Sequence, residues 1–140
     1  MILLYGADTA EKIKDEISGI LSELKGYIPT LGIVRIGSNP ADISYEKGAV
    51  KKMESLSLKT KVFEFDENIS SDDFIDEFKK INEDDEIDGI LLFRPLPEHI
   101  DEKKVIEVLD ERKDLDGISY KNIAKVFEGD ESGFAPCTAK

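Results

Sequence analysis

Three short stretches of the chain carry side chains suited to holding a ligand. "GSNPADISY" (37–45) ends on Tyr45, a flat apolar face with a hydroxyl at its tip. "GILLFRPLP" (89–97) sets Arg94 at the end of an apolar run. Pro95, Leu96 and Pro97 follow, and proline stiffens the backbone by fixing φ. "ERKDLDG" (111–117) places Asp114 and Asp116 ahead of Gly117. An ionised carboxylate accepts from two adjacent N–H groups, and a glycine admits close approach to its backbone. Taken singly, each stretch has an ordinary reading: a half-buried aromatic, a rigid loop, a turn acid.

Other chemistries lack their residues. The chain has no Walker loop, no G-x-G-x-x-G, no zinc-ligand spacing and no Ser/His/Asp constellation, so no metal site is predicted. His99, the only histidine, lies in a proline-flanked loop and reads as an ordinary surface residue. Cys137, the only cysteine, excludes an intrachain disulfide framework. No neighbour in sequence would activate it, so it reads as a packed or incidental thiol that fits a reducing cytosol. A phosphoacceptor reading would need an aspartate at the end of a central strand, and Asp88 stands at the beginning of its run.

The elements that must position these residues alternate between strand and helix periods. "ILLY" (2–5), 30–37, 60–66 and 88–95 read as strands. Asp8 or Thr9 is placed to cap a first helix with Ile13, Ile17, Ile20, Leu21 and Leu24 on one face, and Gly26 to stop it. Asn39 and Pro40 lead into a helix through Tyr45. Ser70 caps another, with Asp73 placed for a reciprocal contact and Phe74, Phe78 and Ile81 along one face. Further helices follow Asp101 and the "DLDG" turn. The pattern predicts an α/β fold, a three-layer sandwich with a mostly parallel sheet of about four strands. Ligands in such folds gather beyond the carboxyl ends of the strands, where all three stretches fall.

With 140 residues, the chain suits one domain, 1–140. A net charge of -12 argues against nonspecific binding to nucleic acid or to an anionic membrane surface. The apolar runs are far shorter than a bilayer span. "MILLYGADTAEK" has no basic flank or cleavage site, so it reads as a first strand and not as a signal peptide.

Four ordered blocks, "PTLGIVRIGSNPADISY", "DEIDGILLFRPLPEHID", "KVIEVLDERKDLDGISYKNIAKV" and "GFAPCTAK", cover nearly the whole chain. In order and spacing they resemble the N-terminal domain of the methylenetetrahydrofolate dehydrogenase/cyclohydrolase family. The resemblance implies a cytoplasmic, usually homodimeric oxidoreductase of one-carbon metabolism. It would take a tetrahydrofolate derivative as substrate and NAD or NADP as cofactor. The dinucleotide is bound mainly by a C-terminal Rossmann domain, which this chain lacks. The chain is then a truncated piece or an isolated domain, and is not expected to turn over alone. By the same resemblance Tyr45 packs on the folate ring and Asp116 bonds the pterin, as catalytic and binding residues. Pro95, Leu96 and Pro97 form the slot wall, and Gly117 lets the backbone come close.

Two positions depart from the family. Its lysine, four residues after the tyrosine, is Ala49 here, and its glutamine before Pro-Leu-Pro is Phe93. Arg94 replaces an apolar residue and is a candidate contact for an anionic part of the ligand. The family lysine serves acid/base chemistry, chiefly in hydrolysis, and the glutamine supports it. The expectation is a 5,10-methylenetetrahydrofolate dehydrogenase without cyclohydrolase activity. A relocated acid/base group, with Lys52 near the same helix face, and a non-catalytic folate-binding domain remain as alternatives.

Overall fold

A run of β-branched and leucine side chains makes strand β1 (Thr30–Ile36) the centre of the sheet. Ile33 and Val34 are fully buried on its opposite faces, as a strand covered on both sides requires. The computed structural model describes residues 6–136. β1 pairs in parallel with β2 (Lys59–Phe65) and with β3 (Gly89–Leu92), in the order β2-β1-β3. Around them lie helices α1 (Gly6–Glu23), α2 (Pro40–Ser55), α3 (Ser71–Glu83), α4 (Glu102–Val108) and α5 (Tyr120–Glu128).

The two sheet faces differ in chemistry. Val34, Ile90 and Leu92, with Ile36, Phe63 and Phe65 beside them, pack in one cluster with Phe74 and Phe78 of α3 and Val105 of α4. Phe65 meets Phe74 edge-on at 5.2 Å, a favoured aromatic geometry. The other face carries Leu31, Ile33 and Arg35, and α2 reaches it through a contact between Glu46 and Arg35. No residue of α2 is buried, whereas α3 buries four. Helices on both faces of a parallel sheet make the expected α/β layering.

Caps place the helix starts. Asn39 accepts from the Ala41 amide at 2.9 Å, and Pro40 occupies the first turn, where its missing N–H costs nothing. The Ser70 hydroxyl accepts from the Asp73 amide at 3.1 Å and donates to the Asp73 carboxylate at 2.6 Å. Asp101 accepts from the Lys104 amide and Ser119 from that of Asn122.

Several boundaries depart from expectation. The described sheet has three strands. The place beyond β3 is held by one bridge, Ile90 to Asp114, and "ILLY" lies outside the described residues, as does Cys137. α1 begins at Gly6, so Asp8 and Thr9 are inside the helix and do not cap it. Its stripe is not buried either: Ile13 is 50% and Ile20 60% exposed. β3 stops at Leu92, short of the expected 95. The Phe93 amide still donates to the Val34 carbonyl at 2.9 Å, but Pro95, which follows a cis Arg94–Pro95 bond, has no N–H to continue the ladder. Among the described residues no helix is long and apolar enough to cross a membrane.

Phe74 is fully buried between Phe65 and Phe78. Phe74→Ala is expected to cost about 3–5 kcal/mol in urea unfolding. A loss under about 1 kcal/mol, the range of a surface substitution, would show that this cluster is not the core.

Candidate functional site

Parallel pairing brings the carboxyl ends of β1 and β3 to one edge of the sheet, and a cleft of about 570 Å³ opens there. Tyr45 of α2, Phe93 and Arg94 beyond β3, and Asp116 in the following loop line it together. Asp42 and Pro136 complete its rim.

Each side chain arrives by a local device. After β1 the chain turns at Gly37, whose φ of 78° lies in the left-handed region that suits glycine. Asn39 and Pro40 then start α2, which carries Tyr45 over the sheet edge. Tyr45 is 64% exposed, with its ring centroid 5.4 Å from that of Phe93 and a tilt of 59°. Arg94 turns towards α4: its Nε donates to Glu102 Oε1 at 2.8 Å, and a terminal nitrogen bonds the same oxygen. The guanidinium in the cleft is therefore already paired.

The two aspartates of "KDLD" have separate tasks. Asp114 is 1% exposed. Its Oδ1 accepts from the Ile118 amide at 3.0 Å, and its Oδ2 from the Ser119 amide at 2.7 Å and from Asn122 Nδ2 at 2.9 Å. The Ile90 amide donates to the Lys113 carbonyl at 2.6 Å and ties this loop to β3. Asp116 is half-buried in the cleft. Burial pushes its carboxyl above the usual carboxylate range; the negative charge of Asp114 adds to the rise and Arg94 opposes it.

The other sequence-selected residues fall outside the lining. Pro95 is exposed, Leu96 is buried in the core cluster and Pro97 is partly buried. Gly117 does admit a close approach, but by the chain itself: a Cβ there would stand 2.4 Å from the Phe134 carbonyl oxygen. Ala49, one turn beyond Tyr45, is partly buried, and Lys52 is exposed. His99 is exposed, with Nε2 3.0 Å from the Ile69 carbonyl.

Sequence reasoning passed over Arg35. It is 4% exposed and ion-paired to Glu46 at 2.6 Å and Glu64 at 2.8 Å. Burial works against its charge, but the two carboxylates outweigh it and leave the guanidinium pKa above its ordinary value. The available signal was a lone arginine inside "TLGIVRIG", since a charge in a buried strand needs a partner.

The start of α2, beside the cleft, is not built to hold a dinucleotide's phosphates. The turn before α2 holds Gly37 as its only glycine, and the helix start is occupied by the Asn39 cap and by Pro40, where a pyrophosphate would need free N–H groups. Among the described residues no group of three His, Cys, Asp or Glu side chains could hold a metal ion.

The separate tasks of the two acids are testable by stability. A carboxyl whose folded pKa is raised binds its proton more tightly when folded, so its contribution to stability declines as pH rises through that pKa. Ionised Asp116 thus costs stability at neutral pH. Asp116→Asn is expected to leave Tm unchanged or higher there, with the difference from wild type vanishing below about pH 4. Asp114→Asn places an NH2 against one or two of the three donors, depending on which oxygen it replaces, and is expected to lose about 2–3 kcal/mol. Thermal melts across pH would reverse the assignment if Asp116→Asn were the more damaging change.

The family model for the tetrahydrofolate dehydrogenase/cyclohydrolase catalytic domain matches residues 4–116. The bifunctional protein FolD of Alkaliphilus metalliredigens is 44% identical over 138 residues, which are 97% of this chain and 49% of that protein. The crystal structure of the bifunctional FolD methylenetetrahydrofolate dehydrogenase/cyclohydrolase from Campylobacter jejuni aligns with a TM-score of 0.88 at 34% identity, covering 95% of this chain and 48% of that one. The Trypanosoma brucei dehydrogenase-cyclohydrolase, solved with NADP cofactor and inhibitor, shares the fold, with a TM-score of 0.88 at 22% identity over 99% of this chain and 48% of its own. The chain spans about half the length of the curated relatives it matches. With a matching family model over most of its length and a cleft where the quoted blocks meet, the chain belongs to the tetrahydrofolate dehydrogenase/cyclohydrolase family as its catalytic domain.

Proposed function

We propose that this chain is the folate-binding catalytic domain of a 5,10-methylenetetrahydrofolate dehydrogenase that lacks cyclohydrolase activity. The observation that carries the reading is the composition of the cleft. Tyr45 and Asp116 line it together, while no basic side chain in its lining can exchange a proton.

The exposed ring of Tyr45, beside Phe93, gives a planar heterocycle an aromatic surface. The Asp116 carboxylate accepts from adjacent N–H groups at the rim of that heterocycle. Both acts are orientation, which is most of what a hydride transfer asks of its protein. The hydride acceptor is NAD or NADP, NADP being the cofactor in the trypanosomal relative's structure, and it is held mainly by residues other than those described. We take the full-length enzyme to be a cytoplasmic homodimer, on the family resemblance alone.

Hydrolysis of the methenyl bridge asks for positioned proton transfer as well. The family lysine and glutamine stand at Ala49 and Phe93, neither of which carries a proton to exchange. Arg94 is the only basic residue lining the cleft among the described residues; its guanidinium stays protonated in proteins and is bound to Glu102. Lys52, the candidate for a relocated group, is exposed and outside the lining. The relatives are named bifunctional, so the proposal is that this chain has kept the first of their two reactions.

The test uses the native polypeptide together with whatever its gene encodes beyond Lys140. Oxidation of methylenetetrahydrofolate with NAD and with NADP, and hydrolysis of methenyltetrahydrofolate, are followed separately. Oxidation without hydrolysis above the spontaneous rate is expected. Tyr45→Ala and Asp116→Ala should each lower kcat/KM for oxidation by about 10²-fold. Ala49→Lys combined with Phe93→Gln should add enzyme-dependent hydrolysis, by on the order of 10²-fold over background. Hydrolysis by the unmodified protein, keeping pace with oxidation, would sink the monofunctional reading.

A further inference from the structure

Arg35 is a buried charge that the proposed reaction does not use. Its Nε donates to Glu46 Oε2 at 2.6 Å, a terminal nitrogen meets Glu64 Oε2 at 2.8 Å, and the other terminal nitrogen donates to the Gly37 carbonyl. One side chain thereby joins α2, β2 and the turn between β1 and α2. The Glu46 side chain is only 13% exposed.

The placement relates directly to Tyr45. Residues 45 and 46 are consecutive on α2, so their side chains diverge by about 100°. Glu46 points to Arg35 and Tyr45 to Phe93. Those two targets are neighbours in the sheet. Arg35 pairs with Glu64 on one side. On the other, the Phe93 amide bonds the Val34 carbonyl one step beyond the Val34–Leu92 pair. Glu64, Arg35 and Phe93 therefore form a row across the sheet end, and α2 lies over it through Glu46 and Tyr45.

No residue of α2 is fully buried; Ile43, Ala49, Val50 and Met53 are partly buried on the face that carries Glu46, so apolar contact leaves the rotation of the helix only partly set. Within that face the ion pair is the directional contact, reaching a guanidinium whose side chain is 5% exposed. Stability is a weak reason for such a pair, because an apolar replacement of similar volume is often neutral or stabilising. Orientation is a stronger one: with its two terminal nitrogens tied to Glu64 and to the Gly37 carbonyl, the planar guanidinium aims its Nε–H at Glu46 in one direction.

We propose that Arg35 is a positioning residue for the aromatic platform: by holding Glu46 it sets the rotation of α2, and with it the angle of the Tyr45 ring over the cleft. The ligand assigned to that platform, a reduced folate, rests on the function proposed above; the positioning does not.

Fluorine NMR of the chain labelled with fluorotyrosine reads the Tyr45 ring directly, with the signal assigned by Tyr45→Phe. Arg35→Met and Glu46→Met are expected to shift or broaden the Tyr45 signal and leave that of Tyr120 in place. Both should weaken binding of 5-formyltetrahydrofolate by about tenfold, the scale of a small misplacement of a binding group. Arg35→Lys, which keeps the charge but not the fork, should restore part of each effect. If Arg35→Met does not fold, Glu46→Met decides the matter. A native Tyr45 signal with native affinity in folded Glu46→Met protein overturns the proposal. Absence of folate binding by the unsubstituted chain counts against the folate reading, and the Tyr45 signal then decides the positioning alone.

Discussion

The parallel pairing of β1 with β3 is the constraint from which the cleft follows. Two strands that run in the same direction end at the same edge, so the turn after Ile36 and the loop after Leu92 must share one rim. The Phe93 amide extends that pairing by one bond before proline ends it. A shorter ladder would leave Phe93 without a fixed height, and a longer one would carry Arg94 into the sheet and away from Glu102. The third contributor, the loop around Asp116, reaches the rim because Ile90 bridges to Asp114 on the free side of β3.

Within this frame, neighbouring residues divide the work between holding and presenting. Asp114 faces inward and satisfies three donors, while Asp116, two residues on, faces the cleft. Glu46 faces inward to Arg35, while Tyr45 faces the cleft. In both pairs the inward group is charged and partnered, Asp114 fully buried and the Glu46 side chain 13% exposed, and a partner is the condition under which a charge taken from water is tolerated.

Much of the layout was legible in the sequence because its signals are local. Alternating periods marked β1, β2, α2 and α3, and Ser70, Asp101 and Asn39 announced helix starts that the chain adopts. Tyr45, Phe93, Arg94 and Asp116 meet as a cleft because strand ends and cap positions are local facts that the parallel topology assembles. What escaped was non-local. The Arg35 network depends on three segments meeting, and no window of the chain contains all three. The short β3 reflects Pro95 overriding an apolar run. The α1 stripe has a helical period, but period does not say what covers a face, and Ile13 and Ile20 remain largely exposed. Leu96 looked like a wall residue and packs inward with the core.

Gly117 bears on how far this domain tolerates exchange with its relatives. Its Cα sits against the backbone of residues 134 and 135, closer than any side chain allows, while the Phe134 amide is held by Asn122 Oδ1 at 3.1 Å. Pro136, at the cleft rim, follows directly. One missing methyl group thus couples two segments far apart in sequence, and a transplant of either must keep glycine at 117. A chimera that kept a bulkier residue at 117 would have to displace the 134–136 backbone, and the far rim of the cleft would move with it.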